Sequence, residues 1–328
     1  MQEQKSVNLF ELSDLCTPWC VHVVATLRIA DHIAAGVEEI NELAKAANCD
    51  ADYLDRVLRH LIGKGVFEEP SPGRFALNEA ARQLLEPGML LGLNLDGFGG
   101  RMAYAWGTLL KAVRTGKPAY HELFGRPYWE DLDAHPEIAA EFDALMGPAG
   151  HGTPDPEILL DGNWESVSTV VDVGGGTGAL LAEILLAHPQ VHGILVDFPK
   201  TVARAAPTFA AVGVADRVEI IGQSFFDPLP AGADLYVLSK VLNDWPDRET
   251  LAILKRCAEA ARPAGRIVIS GGVSPDDAPA SLSIETVLVG GKTNTLAEFR
   301  ELAREAGLEV LAAGRSASGR FVVGCRPT

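Results

Sequence analysis

The 328-residue chain is 47% hydrophobic and 22% charged, which suits a globular protein long enough for two ordinary domains. No run approaches the roughly 18 uninterrupted apolar residues of a membrane-spanning helix, so no span is expected. With 28 Lys and Arg against 44 Asp and Glu, the net charge is −16. Such a chain repels nucleic-acid phosphates and anionic lipid, leaving a small molecule or a second copy of itself as the expected partners.

The opening MQEQKSVNLFELSDL is polar and acidic, without the basic start and apolar core of a secretion signal. Cys16, Cys20, Cys49, Cys257 and Cys325 are scattered, with no second pair to match Cys16/Cys20. Both features predict a cytoplasmic protein with buried free thiols and no metal site. TPWCVHVVATLRIADHIAAG repeats apolar residues at three- and four-residue spacing up to a stop at Gly36, predicting a helix. INELAKAANC and DADYLDRVLRHLIGKGVFEE predict two short amphipathic helices, the second N-capped by Asp50. FEEPSPGRFALN predicts a small hairpin about Pro-Gly. Helices followed by a hairpin outline a winged helix. Its would-be recognition helix, however, opens with Asp50, Asp52 and Asp55, where phosphates need cations, so packing or dimerisation is expected in place of DNA binding.

Residues 90–146 predict helices rich in Phe98, Met102, Tyr104, Trp106, Tyr128, Trp129, Phe142 and Met146. Stripes at this spacing serve as core, and crowded aromatics can also wall an apolar cavity. GPAGHGTPDPEILLDGN reads as a linker, placing a domain boundary near residue 160, between a domain of 1–160 and one of 161–328. Thereafter STVVDVGGGTG, HGILVDFP, RVEIIGQSFFD, ADLYVLSKVLND, RIVISGGV and GRFVVGCRP predict strands. ALLAEILLAHP, TVARAAPTFAAVG, RETLAILKRCAEAA and TLAEFRELAREAGL predict the helices between them. Alternation of this kind predicts an α/β domain with a mostly parallel sheet covered on both faces.

VVDVGGGTG is the most specific signal, a buried strand that ends in glycines and opens a helix. Glycines allow a tight turn and close approach of a ligand, and the helix start offers free N–H groups. GGGTGAL alone loosely fits a dinucleotide loop. Asp172, just before the glycines, could face a cationic amino group, and Asp197, in LVDFP, could take both hydroxyls of a ribose.

The acidic residue before the glycines, VDFP, SFFDPLPAGAD, VLSKVLNDWPD and GGKTNTLAEF occur in that order. Together they resemble the small-molecule O-methyltransferases that use S-adenosylmethionine (SAM), of the plant caffeate type and its bacterial relatives in antibiotic biosynthesis. DLCTPWCVHVVATLRIADHI and HELFGRPYWEDLDAHPEIAAEFDALM resemble the bacterial members' dimerisation domain, so the likeness covers nearly the whole chain. It implies a homodimer, each protomer having a winged-helix dimerisation domain and a Rossmann-like class I methyltransferase domain that ends in an antiparallel strand. It places Asp172, Gly174 and Gly176 at the methionine end of SAM, Asp197 at the ribose, and Ser224 and Phe225 beside the adenine. Ser239 and Lys240 line the far wall, and Trp245 stacks near the adenine. Gln223 stands where the family has glycine. The substrate is expected between the domains, walled by Phe98, Met102, Trp106, Trp129, Phe142 and Met146.

In that family a histidine takes the proton of the substrate hydroxyl and two carboxylates orient it. Here those three positions hold Asn243, Gly271 and Thr293, while Asp244 remains. A neutral phenol, with a pKa near 10, is a weak nucleophile and gains from a base. The replacements predict methyl transfer to an O, N or C acceptor by proximity and orientation, with Asn243 positioning the acceptor and Asp244 as proton sink. His151, in the linker bordering the predicted cleft, is a further candidate, ahead of His22 and His121. The alternative is a fold that keeps SAM for a non-methylating reaction, such as cyclisation, rearrangement, decarboxylation or hydroxylation, or turnover of SAM itself. A non-enzymatic SAM-binding regulator would predict a damaged cofactor loop or a basic recognition helix, and neither occurs.

Overall fold

A computed structural model describes residues 7–147, 153–278 and 284–328. The chain divides into two compact units, 1–104 and 105–328. The described residues of 105–160, grouped with the N-terminal domain by composition, fall in the second unit.

In the first unit the long apolar stretch forms two helices, Cys16–Thr26 and Ile29–Ala34, because Arg28 adopts a left-handed φ of 54° between them. Helices Ile40–Ala46 and Ala51–Gly63 follow, and the Asp50 side chain accepts from the Tyr53 N–H at 3.0 Å. That bond satisfies one orphan donor of the first turn. Strands β1 (Glu68–Ser71) and β2 (Arg74–Ala76) form the expected hairpin. Leu43, Leu54, Leu58, Leu61, Phe67 and Phe75 form the core, each at most 3% exposed.

In the second unit, helices Tyr128–Ala134 and Pro136–Met146 precede a seven-stranded sheet. Its strands are β3 (Thr169–Val173), β4 (His192–Asp197), β5 (Val218–Gly222), β6 (Leu235–Ser239), β7 (Arg266–Ser270), β10 (Leu308–Arg315) and β11 (Phe321–Pro327). Short strands β8 (Val273–Ser274) and β9 (Asn294–Thr295) form a separate parallel pair. The order across the sheet is β10-β11-β7-β6-β3-β4-β5. β3 to β7 run parallel, and β11 lies antiparallel to both β7 and β10. The sequence foresees β11 but not β10, an edge strand whose side chains beyond Leu308 are mostly exposed. Helix Ala179–Ala187 buries Leu180, Leu181, Ile184 and Leu185 on one face, and Asp247–Ala260 buries Ile253, Leu254 and Cys257 on the other.

From β3 the chain builds β4 and β5 to one side, then returns to build β6 and β7 on the other. In open sheets of this kind the crevice beyond the strand C-termini, at that reversal, is where ligands bind.

Candidate active site

The residues singled out in the second half of the sequence meet along this C-terminal edge. β3 delivers Asp172, and Gly174, Gly176 and Gly178 turn the chain with φ between 63° and 82°. A Cβ on Gly175 would lie 2.4 Å from Asp172 Oδ2 and 2.6 Å from Leu195 Cδ1, so only glycine lets the turn pass over that carboxylate. Asp172 is 1% exposed, and neither of its oxygens has a hydrogen-bond partner among the described residues. Burial, reinforced by the charge of Asp197, pushes its carboxyl up to about 7. The Leu181 N–H, outside hydrogen-bond geometry, acts in the opposite direction.

Asp197 ends the neighbouring β4. Its Oδ2 accepts from Gly176 N at 2.8 Å and its Oδ1 from Phe198 N at 2.7 Å. Burial still raises its carboxyl to about 6 against those two donors. An unpaired buried carboxylate above a glycine turn, beside a second one with lone pairs to spare, fits a ligand carrying a cation and vicinal hydroxyls. Ser224 begins the loop after β5, where its Oγ accepts from Phe226 N at 3.2 Å, and Phe225 is buried against Phe198 at 5.1 Å. Gln223 turns aside, its Nε2 donating to Pro228 O at 2.8 Å. Ser239 ends β6 opposite Ser270, and Lys240 follows at φ 57°, its amide donating to Ser270 O at 2.6 Å. Partial burial and then the Arg320 charge lower the Lys240 pKa.

One turn further, Asn243 Nδ2 donates to Asp244 Oδ1 at 2.8 Å, leaving Asn243 Oδ1 buried with no partner among the described residues. The carboxylate beside it fixes this amide orientation, because oxygen against oxygen would repel. Desolvation carries the half-buried Asp244 to about 7, against the lowering bond from Asn243. Gly271, at φ 90°, would place a Cβ 3.3 Å from Asn243 Oδ1 and 3.2 Å from Lys240 Cα. A glutamate at that position would be strained in this backbone and crowded by the amide.

Trp245 joins the two sides. It packs edge-on against Phe226 at 5.0 Å and stacks on Trp129 at 5.8 Å and 22°. Trp129 meets Phe142 at 5.8 Å. The structure thus brings Trp129, Phe142 and Trp245 together, whereas Trp106 and Met146 are 37% and 40% exposed. Phe98 and Met102 lie in the other unit, on helix Phe98–Ala105, with Phe98 buried. His151 lies outside the described residues. His22 Nδ1 bonds Leu93 O at 2.7 Å within the first unit, and His121 opens a short exposed helix. Sequence reasoning placed Tyr128 only among the aromatic residues of these helices; it is a buried phenol kept protonated well above its ordinary range by burial and then by the Asp244 charge. It missed Asp143 and Arg204, which pair across 61 residues with no local signal to announce them.

A family model described as an O-methyltransferase domain matches residues 106–309, and one described as an O-methyltransferase dimerisation domain matches residues 10–87. The 2,7-dihydroxy-5-methyl-1-naphthoate 7-O-methyltransferase of Streptomyces carzinostaticus is 42% identical over 313 residues, 94% of each chain. Aclacinomycin 10-hydroxylase of Streptomyces purpurascens is 36% identical over 95% of this chain and 86% of its own. The crystal structure of an O-methyltransferase from neocarzinostatin biosynthesis, in complex with SAM and 2-hydroxy-5-methyl naphthoic acid, superposes with a TM-score of 0.91. It is 39% identical and covers 99% of this chain and 100% of its own. Apart from the hydroxylase, these relatives are methyltransferases, so the non-methylating alternative is not favoured. The chain belongs to the O-methyltransferase family: it is a SAM-dependent methyltransferase of class I fold that carries the family's dimerisation domain.

Proposed function

We propose that this methyltransferase acts on a hydroxyl of a small polycyclic aromatic acid, and that Asn243 and Asp244 together do the work of the missing histidine. The observation that carries the reading is the buried, unpartnered Asn243 Oδ1 beside a carboxyl whose pKa stands at about 7. A buried carbonyl oxygen without a donor costs about 1–3 kcal/mol, which an acceptor O–H would recover.

Asp172 with the Gly174–Gly176 turn, Asp197, Ser224 with Phe225, and Ser239 with Lys240 would hold SAM. When bound, SAM supplies an electrophilic methyl group on a sulfonium. The chain's own residues orient the acceptor and remove its proton. The phenolic proton is held with a pKa of about 10 before transfer and is strongly acidic once the oxygen is methylated, so a base near 7 lies usefully between the two. Asn243 Oδ1 aligns the hydroxyl, Asp244 accepts the proton, and the faces of Trp129 and Phe142 support a fused-ring acceptor. A relative named for methylating a naphthoate, at 42% identity, and a structure in complex with a naphthoic acid, at 39%, support that acceptor class.

The dimerisation domain supports a homodimer, as do Leu9, Phe10, Leu12 and Leu15, each 73–91% exposed at the N-terminal end. Its helices and hairpin support a winged-helix module used for packing. Asp52 and Asp55, on the helix that would read DNA, are instead engaged by Arg56 and Arg59. Free cysteines support a cytoplasmic setting.

Incubating the protein with SAM bearing a deuterated methyl group and a panel of hydroxynaphthoic acids tests the proposal by product mass. A labelled methyl ether is expected. A panel left wholly unmethylated, or a product that forms without the label, would contradict it.

A further inference from the structure

The seven residues that follow Asp197 tie the cofactor edge to the aromatic wall. Phe198 N donates to Asp197 Oδ1 at 2.7 Å, and the chain then passes through the single turn Pro199–Val202. Lys200 Nζ donates to Asp133 O at 2.7 Å and lies 3.1 Å from Asp133 Oδ2, at the end of helix Tyr128–Ala134. Arg204 holds the next helix. Its Nε donates to Asp143 Oδ2 at 2.9 Å, its Nη2 to the same oxygen, and its Nη1 to Lys200 O at 3.0 Å. The guanidinium is therefore fixed at both ends.

This is no ordinary surface pair. The Asp143 and Arg204 side chains are 14% and 29% exposed, so water screens them weakly. Burial pushes the Asp143 carboxyl up and Arg204 only partly pulls it down. Both charges also act on Asp197, Asp143 raising and Arg204 lowering its pKa. On the far side, Asp143 adjoins Phe142, which packs on Trp129, and Trp129 stacks on Trp245 beside Asp244. Backbone neighbours, the Arg204–Asp143 pair and ring contacts thus link Asp197 to the aromatic wall and back to the Asn243–Asp244 pair.

We propose that Arg204 and Asp143 are positioning residues that couple occupation of the cofactor edge to the ordering of helix Pro136–Met146. Neither reaches the reacting atoms. A ligand hydroxyl on Asp197 draws on the carboxylate that Phe198 N and the Arg204 charge stabilise, and this strengthens Arg204 as a fixed partner for Asp143. The acceptor wall then firms when the cofactor edge fills, so the aromatic acceptor meets a formed surface only after the methyl donor is in place.

The inference rests on the assignment of Asp197 to the cofactor, and the test separates the two. Hydrogen exchange of residues 136–146 is followed with and without saturating S-adenosylhomocysteine, with occupancy confirmed by calorimetry, in the wild type, Arg204→Gln, Asp143→Asn and the double variant. In the wild type, S-adenosylhomocysteine is expected to slow exchange of this helix about fivefold or more. In each single variant the slowing falls below about twofold although the ligand still binds, and the double variant loses nothing further. Arg204→Lys, which keeps the charge, restores part of the effect. Equal slowing in wild type and Arg204→Gln overturns the coupling, as does no slowing in the wild type at full occupancy. If Asp197→Ala binds S-adenosylhomocysteine normally, the cofactor assignment fails instead.

Discussion

The two halves of the sheet's C-terminal edge are built to opposite rules. At β3 and β4, buried carboxylates lie beneath a turn that only glycine can make, and neither Asp172 oxygen has a hydrogen-bond partner among the described residues. At β6 and β7 the edge instead carries an amide, Asn243, a glycine, Gly271, and one carboxyl, Asp244. On the proposed assignment, the first region is stringent because it recognises one fixed molecule through charge. On the same assignment, the second does without a histidine base because a methyl donor on a sulfonium needs an aligned nucleophile more than a strong base. Preorganisation and chemistry are therefore separable along one edge, and substitutions should divide accordingly.

The largest effect is expected on the cofactor side. Asp197→Ala should weaken SAM binding at least about 100-fold, or about 2.7 kcal/mol, by calorimetry. An unchanged affinity would remove the distinction between the two halves. On the acceptor side, Asn243→Ala should lower kcat by roughly 10- to 100-fold, about 1.4–2.7 kcal/mol in the barrier, while SAM affinity stays within about twofold. A loss of SAM binding in that variant would show Asn243 to be part of the cofactor region.

Proton linkage gives a third test. Asp172, raised to about 7, is neutral below that pH and attracts a cation only above it. SAM affinity should therefore fall about tenfold between pH 7.5 and pH 6, with proton release on binding at the lower pH. A flat affinity across that range would mean that no carboxyl titrates on binding. The smallest effect is the most pointed. Asn243→His should raise kcat by no more than about threefold, because no glutamate at Gly271 or Thr293 is present to orient the ring. A large gain would show that orientation is not what the region lacks.

Much of this could be read before folding. The apolar run into glycines marked β3 and its turn, and Asp50 announced its helix, because each signal is local to a few residues. β10 was missed because Leu308–Arg315 owes its extension to pairing with β11, not to an alternating pattern, and Ala-Ala-Gly has little strand preference. The break at Arg28 has no breaker at the point of interruption, whereas Pro207, in the first turn of helix Ala206–Ala211, marks the division of 199–211 and was passed over. Within the site, residue types at strand ends were legible, but their partners were not. The Trp129–Trp245 stack and the Arg204–Asp143 pair exist only once the wall helices pack on the sheet. The same holds for the aromatic residues. Composition marked Trp106 and Met146 no differently from Trp129 and Phe142, yet packing leaves the first two exposed and joins the others to Trp245.

The central claim is that proton removal has passed from a histidine to the Asn243–Asp244 pair. It is tested most directly by the pH dependence of kcat at saturating SAM, for the wild type and the near-isosteric Asp244→Asn. The wild-type rate should climb as Asp244 ionises and level off above about pH 7, and the variant should be slower by about 30-fold or more, with no such rise. Matching rates and profiles in the two proteins would contradict the account.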